Sequence, residues 1–170
     1  MSNNALYQVK EMQNIVQSEI AFFDRRMFRI SYAYSVEAGV PQTIKFSSPV
    51  NFILRSQVVA ATANGILYEA VVGGTPSGSF NQAITTWGVN RMNEVDQAAY
   101  LSQVSISTGG SVSGGAIAET ISIASSNQSP NITDTITQPR GLPAGDYYLR
   151  LTSLGGNATG TIALLWEERP

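Results

Sequence analysis

The chain has 170 residues, ten Lys and Arg against twelve Asp and Glu, a formal charge of −2, and neither Cys nor His. That length suits one domain, or one domain with an arm, and buries a core without staples. The composition excludes disulfides, thiolate or imidazole metal ligands and every Ser-His-Asp or Cys-His arrangement, and the acidic balance argues against a phosphate-tracking surface.

Charged residues make up only 13% of the chain while hydrophobic residues are an ordinary 43%. Disordered chains show the opposite bias, so a folded domain rich in Ser and Thr is expected. Residues 1–10 lack the basic and apolar regions of a secretory signal, and no apolar stretch nears the roughly 20 residues of a membrane helix. The expectation is a soluble protein with no membrane contact.

In chain order, residues 4–20 contain no Gly or Pro and space Leu6, Val9, Met12, Val16 and Ile20 at a helical period. The stripe is too thin for a core helix, so residues 1–27 are expected to form an N-terminal arm or short helix. From Phe28 the period changes to two. Ile30, Tyr32, Tyr34 and Val36 alternate with Arg29, Ser31, Ala33 and Ser35 as a half-buried strand does. Ile44 and Phe46 mark a second strand, and Ser47-Ser48-Pro49 breaks it before a third at 50–59. Asn64-Gly65 reads as a two-residue hairpin joining that strand to the run Ile66, Tyr68, Ala70, Val72. Residues 73–78 are a loop by composition, and 80–97 an irregular connection holding Trp87, Arg91, Glu94 and Asp96. Strands follow at 100–106 and 117–123, then a polar loop at 125–139 with Ile132 and Ile136 on a short edge strand. Gly155-Gly156-Asn157 reads as the turn of a last hairpin, between Tyr147, Leu149, Leu151 and Ile162, Leu164, Trp166. The fold expected over 28–170 is all-β, an antiparallel β-sandwich or jelly roll of about eight strands.

Candidate chemistry is sparse. Thr108 to Gly115 is Gly-rich but lacks the Lys-Ser/Thr of a phosphate loop, so it reads as a connection between strands. Glu94 with Asp96 and Glu167 with Glu168 are the close carboxylate pairs. Neighbours on a strand point to opposite faces, so Glu167 and Glu168 do not share a site; a surface role or a salt bridge to Arg150 or Arg169 is expected. No calcium-loop pattern exists. No catalytic, cofactor or metal residues are assigned, and no enzyme activity is expected. The dense charged cluster is Asp24-Arg25-Arg26 with Arg29, flanked by Phe22, Phe23 and Phe28. Arg and Phe are what protein interfaces concentrate, so Phe22, Phe23, Arg25, Arg26, Phe28 and Arg29 are the candidate partner-binding residues; single-stranded nucleic acid is the weaker alternative. Trp87, Tyr100, Tyr148 and Trp166 raise a glycan-binding alternative. Trp166 falls on the core face, while Tyr148 shares a face with Arg150 and Thr152 and reads as the exposed candidate.

Residues 22–29 (Phe-Phe-Asp-Arg-Arg-Met-Phe-Arg), 48–54 (Ser-Pro-Val-Asn-Phe-Ile-Leu), 140–151 (Arg-Gly-Leu-Pro-Ala-Gly-Asp-Tyr-Tyr-Leu-Arg-Leu) and 165–170 (Leu-Trp-Glu-Glu-Arg-Pro) follow one another along the chain. Together they resemble the small β-sandwich virion proteins of tailed bacteriophages that act as capsid cement, or decoration, proteins. The resemblance spans roughly residues 22–170. It implies a structural, non-enzymatic protein, made in the host cytoplasm and placed on the capsid surface of the virion. It further implies binding across major capsid subunits as a homo-oligomer, dimer or trimer, with no specific nucleic acid. A tail- or fibre-associated module binding a host glycan is the alternative.

Overall fold

The computed structural model describes residues 19–90, 101–124, 131–134 and 139–170. Residues 19–23 form a short helical turn that runs into β1 (Met27–Val36). There follow β2 (Gln42–Ser48), β3 (Asn51–Ala63), β4 (Ile66–Val72), β5 (Thr75–Ser77), β6 (Gln82–Ala83) and β7 (Trp87–Gly88). The second half holds β8 (Ser105–Thr108), β9 (Ser111–Ser113), β10 (Ala116–Ile123), β11 (Asn131–Asp134), β12 (Arg140–Leu142), β13 (Gly145–Ser153) and β14 (Ala158–Arg169).

Alternation in the sequence becomes alternation in burial. β1 buries Phe28, Ile30, Tyr34 and Val36 and turns Arg29, Ser31, Ala33 and Ser35 to solvent. Two large sheets are built from such strands, every pairing antiparallel. One has the order β11-β3-β14-β1-β7 with β12 also on β3; the other runs β10-β4-β13-β2-β8-β6. The chain crosses between sheets at nearly every step. As a result β1-β14-β3-β11 faces β2-β13-β4-β10, which is the strand order of a jelly roll. The number agrees with the eight or so strands expected, and the fold is an all-β sandwich; the run expected as a strand at 100–106 is not one of the eight, since the strand there is the short β8 beyond β2.

The core lies between the inner faces. Trp166 is fully buried, edge-on to Phe46 at 5.4 Å between ring centroids and stacked with Phe28 at 6.1 Å. Phe46 continues to Phe52 at 4.8 Å, and Phe52 to Tyr147 at 5.5 Å. Gly160 is required where β14 passes Tyr34: a Cβ there would lie 1.9 Å from the Ala60 carbonyl oxygen and 2.3 Å from the Tyr34 hydroxyl.

Two turns are not the hairpins the sequence suggested. β3 and β4 lie in opposite sheets, as do β13 and β14, so Asn64-Gly65 and Gly155-Gly156-Asn157 are corners that carry the chain across the sandwich. The type I′ hairpin turn needs positive φ at both central residues. Asn64 has φ 52° but Gly65 is not in that region, and the single left-handed residue swings the chain to the other sheet. The two corners support each other. Asn64 Nδ2 donates to the Asn157 carbonyl at 2.6 Å and the Leu154 amide to the Gly65 carbonyl at 2.9 Å. Asn157 Oδ1 also accepts from the Ala38 amide of the β1–β2 turn at 3.1 Å. Three turns at one end of the sandwich are thereby tied together.

The stretch between β4 and β10 extends the sandwich. β6 and β8 lengthen one sheet beyond β2, and β7 lengthens the other beyond β1. β5 and β9 pair as a separate ribbon over the outer face of the β10-β4-β13 sheet. Beneath it Val71, Val112 and Tyr148 form a second small core with Phe80. The Gly-rich segment 108–115 therefore contains a strand as well as turns.

Candidate functional site

The arm meets the sandwich through one buried carboxylate. Glu167 lies near the end of β14 and points away from the Trp166 core, yet it is fully buried. It is buried under three guanidinium groups. Arg26 Nη1 approaches Glu167 Oε1 at 3.0 Å, Arg169 Nε reaches the same oxygen at 2.6 Å, and Arg55 pairs with Oε2 through both Nη2 and Nε. Arg26 also reaches Asp24 at 3.2 Å and the Glu168 carbonyl at 3.3 Å. The backbone adds two ties, from the Glu168 amide to the Arg26 carbonyl and from the Arg26 amide to the Ala21 carbonyl, both at 2.9 Å. Ala21 is completely buried. Asn90 Nδ2 donates to the Phe22 carbonyl at 3.0 Å and the Val89 amide to the Met27 carbonyl at 2.9 Å, which fastens the segment after β7 to the same place.

This geometry sorts the six candidates for partner binding. Phe28 is 4% exposed, stacked on Trp166, and is a core residue. Its position as the first inward residue of β1 takes it out of any contact surface. Arg26 is a fastener on Glu167. Phe22 is half-buried, edge-on to Phe23 at 5.5 Å. Arg25 is half-buried with a left-handed φ of 56°, where the helical turn gives way to β1. Phe23, 67% exposed, and Arg29 present themselves to solvent, and Ile20, 49% exposed, joins them. The helical stripe at 4–16 lies outside the described residues.

Beside this root an open groove of about 690 Å³ runs over the outer face of the β1-β14-β3 sheet. Its floor is Ser31, Ser56, Val58, Ala163 and Leu165, its wall Arg29, Trp87 and Val89. β7 makes the wall by pairing with β1, which places Trp87 opposite Arg29. Small outward residues on β1 and β14 make the floor low. The sequence named Trp87 and Arg29 separately; what it could not show is that a two-residue strand brings them side by side.

Other sequence candidates fall elsewhere. Tyr148, expected on the surface, is 2% exposed. Its face of β13 is indeed the outer one, but the β5–β9 ribbon and Phe80 cover it. Trp166 is core as expected. Glu167 and Glu168 do point to opposite faces, but neither is a surface residue. Glu168, 3% exposed, accepts from Ser102 Oγ at 2.5 Å, the Gln103 amide at 3.0 Å, Trp166 Nε1 at 3.2 Å and the Val104 amide at 3.4 Å. The expected bridge from Glu167 to Arg169 is present, while Arg150 instead pairs with Glu69 at 2.9 Å. Glu94, Asp96, Tyr100 and Ile136 lie outside the described residues. Ile132 sits on β11, the expected edge strand.

A further polar chain threads the core: Tyr68 donates to Gln57 Oε1 at 2.7 Å, Gln57 Nε2 to Glu119 at 3.1 Å, and Arg140 grips both Glu119 oxygens at 3.1 and 3.2 Å. Burial pushes the Tyr68 phenol well up, and the Tyr34 phenol up to about 12. Burial alone would raise the Asp146 carboxyl, but hydrogen bonds from Lys45 and Ser47 outweigh it and hold it below its ordinary value. Among the described residues no group of three acidic side chains is placed to hold a metal ion. Each buried carboxylate already has its donors, so their role in this arrangement is to hold segments in place. No helix among the described residues is long and apolar enough to cross a membrane. No known protein family, curated protein or solved structure matches the chain.

Proposed function

We propose that the protein is a non-enzymatic structural component of a bacteriophage virion, a capsid cement protein that attaches through its N-terminal segment and the surface beside it. The observation that carries the reading is the fastened arm root. Arg26 is fixed on buried Glu167 while Phe23 and Ile20, immediately before it, stay exposed. An arm that leaves a rigid body at a fixed point, with aromatic and apolar side chains outward, suits contact with a neighbouring subunit. The groove with Arg29 and Trp87 continues that surface. The jelly-roll order is one that capsid proteins use, and it supports the reading by analogy of fold. The major capsid protein is the partner, and the protein works as a homo-oligomer on the capsid surface.

The test is a copy-number count on purified virions by quantitative mass spectrometry. Hundreds of copies per particle are the expected result; complete absence from virions would refute the reading. Removal of residues 1–18 is expected to leave a folded domain that attaches more weakly. The cut is placed there because Ala21 and Arg26 belong to the packed body.

The second reading is a tail or fibre module binding a host glycan. Trp87, 49% exposed beside Arg29, Ser31 and Ser56, favours it, since an indole face with flanking donors suits a sugar ring. A few to a few tens of copies per virion, with glycan-array binding lost in Trp87→Ala, would support this reading over the first.

A further inference from the structure

We propose that β10 is a self-pairing edge, through which two copies of the chain join antiparallel about a twofold axis. This rests on the self-association in the reading above and not on the capsid. A wrong interface would leave the copy number untouched, and a wrong compartment would leave the dimer untouched.

β10 ends its sheet, with β4 on one side and no strand on the other among the described residues. It is eight residues long, whereas the described strands β6, β7, β11 and β12 at the other margins have two to four. Proteins usually blunt such an edge with Lys, Pro, an inward charge or a bulge. The sequence of β10, Ala-Ile-Ala-Glu-Thr-Ile-Ser-Ile, has no Lys or Pro. Its one charge, Glu119, is neutralised by the two-pronged grip of Arg140 and the amide of Gln57. A bulge lies between Ile117 and Glu119, and residues 119–123 then run in regular register against β4.

The chemistry of this strand favours its own copy as the partner. Across a twofold axis a strand meets itself reversed, so a charged edge would repel itself while a neutral one does not. Pairing centred on Ile121 sets Ile121 against Ile121 of the second copy on the inward face, covering a side chain now only half-buried. On the outward face it sets exposed Thr120 against Ser122 of the second copy, two hydroxyls placed to bond. Ile117, 52% exposed, lies just beyond the bulge at the far end of the same edge.

The experiment is sedimentation equilibrium of the full chain over a wide concentration range, with thermal melts to check folding. The wild-type chain is expected to be a dimer. Thr120→Lys with Ser122→Lys puts Lys against Lys twice across the axis and raises the dissociation constant by about tenfold or more. Thr120→Lys with Ser122→Glu puts Lys against Glu and remains dimeric, which separates register from general surface change. Val40→Lys, at a residue 58% exposed in the β1–β2 turn, leaves the dimer unchanged. A monomer at every concentration, a closed trimer, or a dimer indifferent to both double variants would overturn the proposal.

Discussion

Glu167→Gln tests whether the arm root is held by charge. The substitution keeps the shape of the side chain but leaves Arg26, Arg55 and Arg169 around a neutral amide, whose nitrogen donates where guanidinium groups also donate. Breaking a buried ion pair by removing one partner costs about 3–5 kcal/mol. The three arginine side chains are 26%, 11% and 38% exposed, so water relieves part of that loss. The expected loss is therefore about 3 kcal/mol, at the low end of that range, which for a domain of this size lowers Tm by roughly 6–12 °C. Urea denaturation gives the energy, and hydrogen exchange locates it. The amides of Asp24, Arg26 and Glu168, which bond to Ile20, Ala21 and Arg26, should lose protection first. Arg29→Ala, on the same sheet face but outside the cluster, is the control and should shift stability by no more than about 0.5 kcal/mol. A loss below about 1 kcal/mol in Glu167→Gln, or unchanged exchange at those three amides, would show that the cluster does not hold the root.

Gly160→Ala forces a methyl group to within 1.9 Å of the Ala60 carbonyl oxygen and disturbs the 2.8 Å bond from Tyr34; a loss of about 3 kcal/mol is expected in denaturant titrations, and a loss under about 1 kcal/mol would refute the close packing. The Tyr34 phenol is raised to about 12 by burial and Tyr68 is raised further, so the fold favours their protonated forms. Stability should hold up to about pH 10 and then fall as pH rises through the folded value, by about 1.4 kcal/mol per pH unit for each phenol. Thermal melts across that window check it, and Tyr34→Phe should reduce the slope. Tyr148→Ala removes a ring packed among Val71, Val112 and Phe80 and should cost about 3 kcal/mol. A stability change under about 1 kcal/mol would place Tyr148 back among the surface aromatics.

The strands were legible because a residue on a half-buried strand obeys one local rule, and β1, β13 and β14 obey it almost without exception. What a period of two cannot carry is which sheet a strand joins. Asn64-Gly65 has the composition of a hairpin turn, and its neighbours alternate as hairpin strands do. Gly65 does not take a positive φ, and its carbonyl is instead bonded by Leu154 beside the corner at 155–157, a contact remote in sequence. The aromatic assignments divide for a related reason. Trp166 was legible because its inner face is covered by the opposite sheet, as in any sandwich. Tyr148 was not, because its outer face is covered by β5 and β9, three residues each, far away in sequence. Phe28 was read as part of a surface cluster because Arg25, Arg26 and Arg29 surround it in sequence, yet the strand period already begins there and turns it inward.

The two glutamates of β14 show how the site itself escaped the sequence. Neighbours on a strand face opposite ways, and that rule correctly kept them from being a catalytic pair. The same rule makes them a clamp. One carboxylate reaches out of the sheet to take the arginines of the arm root, β3 and the C-terminus; the next reaches inward past Trp166 to take the amides of Gln103 and Val104. One strand end thus fixes two segments on opposite faces, and both charges are buried because each is fully engaged. The consequence lies in orientation: Phe23 and Ile20 project from a point held to the sandwich by charge and backbone together, so both exposed side chains are set in a defined direction.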